Sequence, residues 1–243
     1  MILLIETATQ VCSVALSHEG RPLAEIHSDE PNAHSVRLAS LVEQLMAQCH
    51  VTFADLDAVC VSCGPGSYTG LRIGVSAAKG YCYALQIPLL SVPTLQSMAA
   101  QCFAQLPSYR GLVCPMIDAR RMECYAALYA RRDDGSVDEL RPVQADIVQQ
   151  GLYDSFLDSG EVLFIGDGAE KTRPILSSHP MARYQDGLAD AQGRPFRFQI
   201  SAAGMASIAQ QKLMAGDTED VAYFEPFYLK DFVAKKSVVR GLR

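Results

Sequence analysis

Short blocks of apolar residues bounded by turn residues predict a succession of β-strands in the first hundred residues. The first two blocks are joined by residues 7–10, a connection short enough to predict a β-hairpin. Apolar positions spaced three and four residues apart predict a helix that Asn32 caps, and Thr94 caps another that ends near Gln105. The strands that this pattern predicts are residues 2–6, 11–17, 21–28, 57–62 and 89–92.

The same order of elements begins again after residue 108. Glu6 and Asp118 end corresponding strands, and this internal duplication predicts two similar domains, residues 1–108 and 109–243, facing each other across a cleft. The aromatic-rich last twenty or so residues are predicted to pack back on the body. The predicted strands of the second half are residues 112–118, 122–130, 137–143, 162–165 and 196–200. Its predicted helices are residues 146–156, a segment after Gly168, and residues 201–215.

A glycine-rich stretch, CGPGSYTGLRIG at residues 63–74, follows a buried strand and opens a long apolar segment that reaches Leu85. A strand, a glycine turn and a helix in this order present backbone N–H groups to a ligand in many α/β proteins. Ser67 or Thr69 is placed to cap the helix. The helix carries two apolar stripes and needs cover on two sides. In one interpretation the sheet of its own domain covers one side, and a second domain or another chain covers the other. In the alternative interpretation it is the central core helix of one large domain.

Composition narrows the class of protein. Of 243 residues, 49% are apolar and 20% are charged, which predicts a globular protein with a substantial core. The net charge of −6 argues against nucleic-acid binding by this chain alone. The basic tail from Lys230 to Arg243 is either a local patch that assists a partner or a solvated terminus. The first residues predict a strand and not a signal peptide, and no apolar run reaches membrane-spanning length, so we expect a cytoplasmic protein that does not bind membranes.

Eight cysteines raise the question of disulfides or a metal site. In a chain of this size without a secretory signal we expect them to be reduced and to behave as small apolar side chains. Cys60 and Cys63 form a single CxxC pair, and residues three apart on a strand point to opposite faces. No second pair is spaced to complete a zinc site, so the sequence predicts no metal site.

An acid that ends the first strand of a β-hairpin, repeated in two halves, resembles the actin/hexokinase/Hsp70 superfamily of ATP-binding folds. Four segments are more specific, and together they resemble the TsaB (YeaZ) family, the dimerization subunits of the bacterial tRNA threonylcarbamoyladenosine (t6A) complex. These segments are residues 5–9, 64–74, 78–80 and 117–121. The resemblance implies an α/β fold with two tandem actin-like (RNase H-like) lobes, each a mixed β-sheet flanked by helices.

The resemblance also implies a function. Members of this family support a TsaD-type catalytic subunit that forms N6-threonylcarbamoyladenosine at position 37 of tRNAs reading ANN codons, and a small TsaE-type ATPase joins them. We therefore expect a noncatalytic partner subunit that forms a homodimer when alone and meets tRNA only through the complex. The family's dimer interface uses the two helices near residues 32–49 and after the glycine turn. It maps here onto Leu38, Leu41, Tyr68, Leu71, Arg72, Ile73, Val75, Ala78, Lys79 and Cys82.

Two departures from the catalytic relatives argue against chemistry by this chain. Where the paralogue has a metal-binding His-x3-His pair, this sequence has only His34. In the second hairpin, Arg120 and Arg121 would crowd a phosphate, although their charge could hold an anion differently. We expect no catalytic residues, no metal, no required cofactor, and at most weak or complex-dependent ATP/ADP binding. The vestigial phosphate site would comprise Glu6, Thr7, Thr9, Gly64, Gly66, Asp118, Arg120, Gly166, Asp167 and Gly168.

Other interpretations remain open. A simpler interpretation of Glu6 and Asp118 is that they are strand-end acids that accept turn N–H groups, and this is the preferred interpretation. A stand-alone ATP-dependent enzyme of the actin/hexokinase superfamily is the first alternative function. A glycoprotease-like peptidase is a weaker one, because no nucleophile, base and orienting group can be identified. A scaffold unrelated to tRNA is the third.

Overall fold

Two five-stranded mixed sheets form the protein, and a computed structural model describes residues 1–30 and 33–230. The strands of the first sheet are β1 (Ile2–Glu6), β2 (Cys12–His18), β3 (Arg21–Ser28), β4 (Ala58–Ser62) and β5 (Leu89–Val92). Their order in the sheet is β3-β2-β1-β4-β5. The pairs β1–β2 and β2–β3 are antiparallel, and the pairs β1–β4 and β4–β5 are parallel. Apolar runs bounded by turn residues thus give strands close to their predicted positions.

The second sheet repeats this topology. Its order is β10-β9-β6-β7-β8, with β6–β7 and β7–β8 antiparallel and β6–β9 and β9–β10 parallel. The strands are β6 (Leu112–Asp118), β7 (Glu123–Arg131), β8 (Val137–Ile147), β9 (Val162–Ile165) and β10 (Ala182–Arg183). The predicted fold class, two mixed sheets flanked by helices, is confirmed.

Helices cover both faces of each sheet. They are α1 (Ala33–Gln48), α2 (Tyr68–Leu85), α3 (Thr94–Gln105), α4 (Asp154–Leu157), α5 (Asp167–Leu176) and α6 (Ala206–Ala215). Helices α1 and α2 share a core with one face of the first sheet, and α6 packs on its other face. Helix α3 packs on one face of the second sheet, and α4 and α5 pack on the other. Each sheet therefore takes one covering helix from the other half of the chain. Within the described residues, no helix combines the length and apolarity that a bilayer span requires.

Three sequence predictions are corrected. The helix predicted at residues 146–156 is mostly absent, because β8 continues to Ile147 by pairing with β7, and only the short α4 follows. Residues 196–200 form no strand; Phe196 is buried in the core of the second sheet without a ladder of backbone hydrogen bonds. Thr94 does not cap α3, since its hydroxyl accepts the Gly64 N–H instead. The predicted Asn32 cap lies outside the described residues.

Residues 217–230, here called the strap, follow α6 and run along the first sheet and α2. The Glu219 N–H donates to the Leu89 carbonyl over 2.8 Å. The Lys79 ammonium then donates to the carbonyls of Ala222 and Phe224 over 3.0 and 3.1 Å. A lysine on α2 thereby fixes the strap backbone in place. The basic residues beyond 230 lie outside the described part.

Candidate functional site

Glu6 ends β1, where the resemblance places the acid of a phosphate site, but its side chain is completely buried. The Ala8 N–H donates to Glu6 Oε1 over 2.6 Å, and the Ser62 hydroxyl donates to the same oxygen over 2.8 Å. The other oxygen, Oε2, has no hydrogen-bond partner in the described part of the chain. Burial raises the pKa of Glu6 to about 7, although the hydrogen bonds from Ala8 and Ser62 favour the charged form. The carboxyl therefore faces the interior of the first sheet's core.

Three glycines of the motif pack directly on the turn of the first hairpin. A Cβ on Gly66 would stand 2.6 Å from the Ala8 Cβ. A Cβ on Gly70 would come within 3.0 Å of the Thr7 carbonyl oxygen, and one on Gly74 equally close to the Thr7 hydroxyl. Such distances are shorter than close-packed interiors allow. The glycines are thus required for the close contact between α2 and the hairpin turn.

Ser67 joins the same two elements through hydrogen bonds. Its N–H donates to the Ala8 carbonyl over 2.6 Å, and its hydroxyl caps α2 by accepting the Gly70 N–H over 3.2 Å. Of the two predicted caps, Ser67 and Thr69, the structure shows Ser67. Two N–H groups that a bound anion might otherwise use already have partners.

The threonines of the first hairpin turn also lie within the fold. Thr7 is completely buried, and its hydroxyl has no hydrogen-bond partner among the described residues. Thr9 is half-buried and accepts the Val11 N–H over 3.3 Å. Neither hydroxyl is presented to an open cleft as a phosphate-binding hydroxyl would be.

Gly64 lies under the strap. Its φ of +114° is a conformation that side chains disfavour, and a Cβ there would overlap the Phe227 carbonyl. The Gly64 N–H donates to Thr94 Oγ1 over 3.1 Å, and its carbonyl accepts the Thr94 N–H over 2.9 Å. The Phe227 N–H donates to the Cys63 carbonyl over 2.7 Å. Residues 63–64 are therefore covered by the strap and by the start of α3.

Asp118 is the counterpart of Glu6 in the second hairpin, but its side chain is exposed. It accepts the Arg120 N–H over 2.7 Å and forms an ion pair with Lys171. Partial burial by itself would raise the pKa of Asp118, but Lys171 and the Arg120 N–H outweigh it, so the pKa of Asp118 is lowered. In both hairpins the acid accepts the N–H two residues further on, as the preferred interpretation of strand-end acids expects.

The loop after β9 packs against β6 as the glycine motif packs against the first hairpin. Gly166 has a φ of +93°, and a Cβ there would overlap the Met116 carbonyl, while one on Gly168 would meet Cys124 Sγ at 3.0 Å. Asp167 Oδ1 accepts the Asp118 N–H over 2.9 Å, and burial raises the pKa of Asp167. The predicted phosphate residues come together in two clusters, one at each hairpin, and a phosphate site in either of them stays a prediction.

Helix α2 presents a different face from the one that its apolar pattern suggested. Six of the ten predicted interface residues are buried in the core of the first sheet, each at most 5% exposed, namely Leu38, Leu41, Leu71, Val75, Ala78 and Cys82. These side chains pack inside the protein because α1, the sheet and the glycine loop cover the first apolar stripe, while the second stripe is covered only in part. A partner interface that uses these residues stays a prediction. Tyr68, Ile73 and Lys79 are half-buried, and Arg72 is exposed. The outward strip of α2 consists of Thr69, Arg72, Ser76, Gly80, Tyr83 and Ala84.

No metal site is evident in residues 1–30 and 33–230, where no group of three His, Cys, Asp or Glu side chains is placed to hold an ion. His34 packs near the first hairpin turn, where burial lowers its pKa although hydrogen bonds with Val11 and Thr9 oppose the shift. All eight cysteines are free thiols. Burial raises the pKa of Cys63 to about 11, so the CxxC pair has no reactive thiolate at neutral pH.

Two lysines make contacts that the sequence analysis did not predict. Lys171 pairs with Asp118 and donates to the Glu123 carbonyl over 2.8 Å. The sequence offered one indication that Lys171 lies near the predicted site, because it follows Asp167 by four residues and both therefore lie on one face of α5. Lys79 was predicted only as an interface residue, and nothing in the local sequence indicates that a segment more than 140 residues away receives its ammonium.

The sequence of this chain is similar to those of known proteins. The family model for TsaD, tRNA N6-adenosine threonylcarbamoyltransferase, matches residues 28–238. The tRNA threonylcarbamoyladenosine biosynthesis protein TsaB of Escherichia coli is 32% identical over 98% of this chain and 97% of its own length. TsaB of Bacillus subtilis is 34% identical over 68% of this chain and 70% of its own.

A solved structure agrees with these sequence matches. YeaZ from Pseudomonas aeruginosa superposes with a TM-score of 0.75 and 27% identity, covering 94% of this chain and 99% of YeaZ. The similarity extends over nearly the full length of the Escherichia coli protein and of YeaZ. This chain therefore belongs to the TsaB (YeaZ) family.

Proposed function

We propose that this protein is a noncatalytic partner subunit in the biosynthesis of N6-threonylcarbamoyladenosine in tRNA. It supports a TsaD-type threonylcarbamoyltransferase that acts on adenosine 37 of tRNAs reading ANN codons. The relatives named TsaB are biosynthesis proteins of this modified nucleoside, and family membership supports a partner of the TsaD type. A TsaE-type ATPase joins the assembly, and tRNA is bound only through it.

The closed first hairpin is the observation that carries the noncatalytic role. An ATP-dependent member of the actin-like superfamily needs an acid and backbone N–H groups open to a phosphate and its metal ion. In this protein Glu6 is buried, and Gly66, Gly70 and Gly74 contact the hairpin turn with no space between. Glu6 Oε1 and the N–H groups of Ser67 and Gly70 are likewise engaged by hydrogen bonds within the protein and are not open to a ligand. ATP or ADP is bound weakly at most, or only within the complex.

The outward strip of α2 supplies the surface for a partner. Tyr83 on this strip is 75% exposed, and Val36 on the neighbouring α1 is 73% exposed. Exposed large apolar side chains on two adjacent helices are typical of protein–protein contacts. We propose that this surface forms the homodimer when the protein is alone and the heteromer when the TsaD-type subunit is present.

Ser76→Arg is expected to weaken both associations by at least tenfold while leaving the fold intact. Ser76 is exposed in the middle of the outward strip, and a buried unpaired guanidinium at a packed interface costs several kcal/mol. Sedimentation velocity measures the homodimer, and titration with the TsaD-type subunit measures the heteromer. Ser207→Arg, at an exposed position of α6, is the matched control and should associate like the wild type. Normal association of Ser76→Arg would place the interface elsewhere.

Reconstitution tests the function itself. The TsaD-type and TsaE-type subunits, with a threonylcarbamoyl donor and an unmodified tRNA transcript, should form N6-threonylcarbamoyladenosine only when this protein is added. The protein alone should hydrolyse no ATP. Steady ATP turnover by the isolated chain would instead favour the stand-alone ATP-dependent enzyme, and modification that proceeds equally without the chain would exclude the partner role.

A further inference from the structure

The turn of the second hairpin carries two arginines in an unfavourable backbone conformation. Arg120 and Arg121 have φ values of +71° and +53°. Residues with a side chain pay a steric cost in this region, which glycine and asparagine tolerate best. In the described part of the chain this is the one place where two successive non-glycine residues have positive φ. Retention of two arginines where Asn-Gly would fit better indicates a use for their side chains.

The two guanidinium groups carry charge that the surrounding protein neutralises only in part. Both side chains are exposed; Arg120 interacts electrostatically with Asp118, and the Arg121 side chain has no ion pair or hydrogen bond within residues 1–30 and 33–230. The carboxylates beside the turn already have lysine partners, since Asp118 binds Lys171 and Glu123 binds Lys230. Although the net charge of the chain is −6, its described residues therefore present an excess of positive charge at this hairpin tip.

A third exposed arginine, Arg72 of α2, lies near the same end of the strap. Tyr228 of the strap packs on Tyr68 with ring centroids 4.9 Å apart, and Lys230 follows two residues later and pairs with Glu123 of the second hairpin. Arg72 lies 5.4 Å from the centroid of the Tyr68 ring. The end of the strap therefore runs from the neighbourhood of Arg72 to the second hairpin.

Three backbone N–H groups of the turn already have acceptors. The Ala119 N–H donates to Glu123, the Arg120 N–H to Asp118, and the Glu123 N–H to Arg120. An anion at the tip would therefore be held mainly by the two guanidinium side chains. Flexible, separated guanidinium groups on an open tip suit the spaced phosphates of a nucleic-acid backbone.

We propose that Arg120 and Arg121 contact the phosphodiester backbone of the tRNA substrate in the assembled complex. This inference rests on the proposed function, because the chain alone is too acidic to hold RNA. It gives the subunit a part in substrate positioning as well as in assembly.

The test measures tRNA binding by the assembled complex. A fluorescently labelled, unmodified tRNA transcript is titrated with the complex of this protein and its TsaD-type subunit, and anisotropy is followed at several salt concentrations. Arg120→Ala/Arg121→Ala should weaken binding roughly tenfold at low salt and reduce the slope of log affinity against log salt by about 1–2. Arg132→Ala/Arg194→Ala removes the same charge from guanidinium groups that already have carboxylate partners, and should change affinity less than about twofold.

A second variant separates binding from folding. Arg120→Asn/Arg121→Gly removes the charges and also relieves the backbone strain. It should raise the melting temperature by about 2–4 °C and yet lose as much tRNA affinity as the alanine pair. A variant that is more stable and binds less tightly cannot owe its defect to misfolding.

Three results would overturn the inference, and they are distinguishable. Unchanged affinity and salt slope in both variants would show that the turn does not touch RNA. Loss of binding to a labelled ATP analogue with unchanged tRNA affinity would assign the arginines to a nucleotide. If size-exclusion chromatography shows that the wild-type chain and the TsaD-type subunit do not associate, the proposed function fails first and the inference fails with it.

Discussion

Gly70→Ala is expected to lower the free energy of unfolding by about 3 kcal/mol or more. A Cβ at this position would come within 3.0 Å of the Thr7 carbonyl oxygen, which belongs to the backbone of a hairpin turn and cannot rotate away. Gly70 lies in the first turn of α2 and does not have positive φ, so alanine is conformationally acceptable there. The whole effect comes from steric overlap between α2 and the first hairpin.

Gly80→Ala is the control for this substitution, because it lies on the same helix with nothing within 4 Å of its Cβ position. Since alanine has the better helix propensity, this variant should gain about 0.5–1 kcal/mol. Chemical denaturation followed by far-UV circular dichroism measures both values. If Gly70→Ala were as stable as Gly80→Ala, the close contact between α2 and the hairpin would not exist.

Glu6→Gln is expected to remove a pH dependence of stability. The pKa of Glu6 is raised from 4.5 to about 7, so between these values the folded state holds a proton that the unfolded state has released. The stability associated with the protonated group is present below pH 4.5 and is lost as pH rises through 7. Over this window the loss amounts to about 3 kcal/mol, at 1.36 kcal/mol for each pKa unit.

Glutamine keeps the shape of the side chain and the acceptor for the Ala8 N–H, but it carries no charge. The variant should therefore gain stability relative to the wild type as pH rises from 5 to 8, with the difference levelling off above pH 8. Urea denaturation at several pH values measures this difference. Glu43→Gln, at an exposed position of α1, controls for the removal of a carboxylate. Parallel stability profiles for Glu6→Gln and the wild type would show that the buried carboxyl does not titrate in this range.

Both predictions concern the contact between the first hairpin and α2, and this contact also bears on the proposed assembly. The first hairpin, the glycine loop and α2 are joined by contacts that leave no free volume, and the outward strip of α2 is the proposed partner surface. Because Thr7, Ala8 and the motif glycines fix the position of α2, a substitution at Gly70 should weaken partner binding without touching the partner. Measurement of association for Gly70→Ala at temperatures where it remains folded would show this coupling.

The strands were the most predictable part of the fold. Val162–Ile165 and Leu89–Val92 are short apolar runs between turn residues, and the structure places strands at the same positions. The helix predicted at residues 146–156 failed for a physical reason. Strand β8 lies at a sheet edge with mixed polar and apolar residues, and its continuation to Ile147 depends on pairing with Glu123 and Cys124 of β7. Local sequence contains no signal for such a partner.

The candidate site was predictable in its residues but not in their roles. The glycines and the acids Glu6 and Asp118 were identified from the sequence, and the structure does gather them at the two hairpins. Whether an acid at the end of a strand is buried or exposed depends on what packs over it, and here Glu6 is covered while Asp118 is not. The two apolar stripes of α2 were likewise equivalent in the sequence, although α1 and the sheet bury most of the first and cover the second only in part.

The sequence by itself determined the family and the repeated order of strands, because these depend on local runs and short motifs. Only the tertiary structure decided which motif glycines contact the hairpin turn, that α3 and α6 each cover the sheet of the other half, and that the turn with Arg120 and Arg121 carries an excess of positive charge among the described residues. Each of these features joins residues far apart in the chain. Their energies come from steric contact, apolar burial and charge balance in three dimensions, which neighbouring residues in the sequence do not encode.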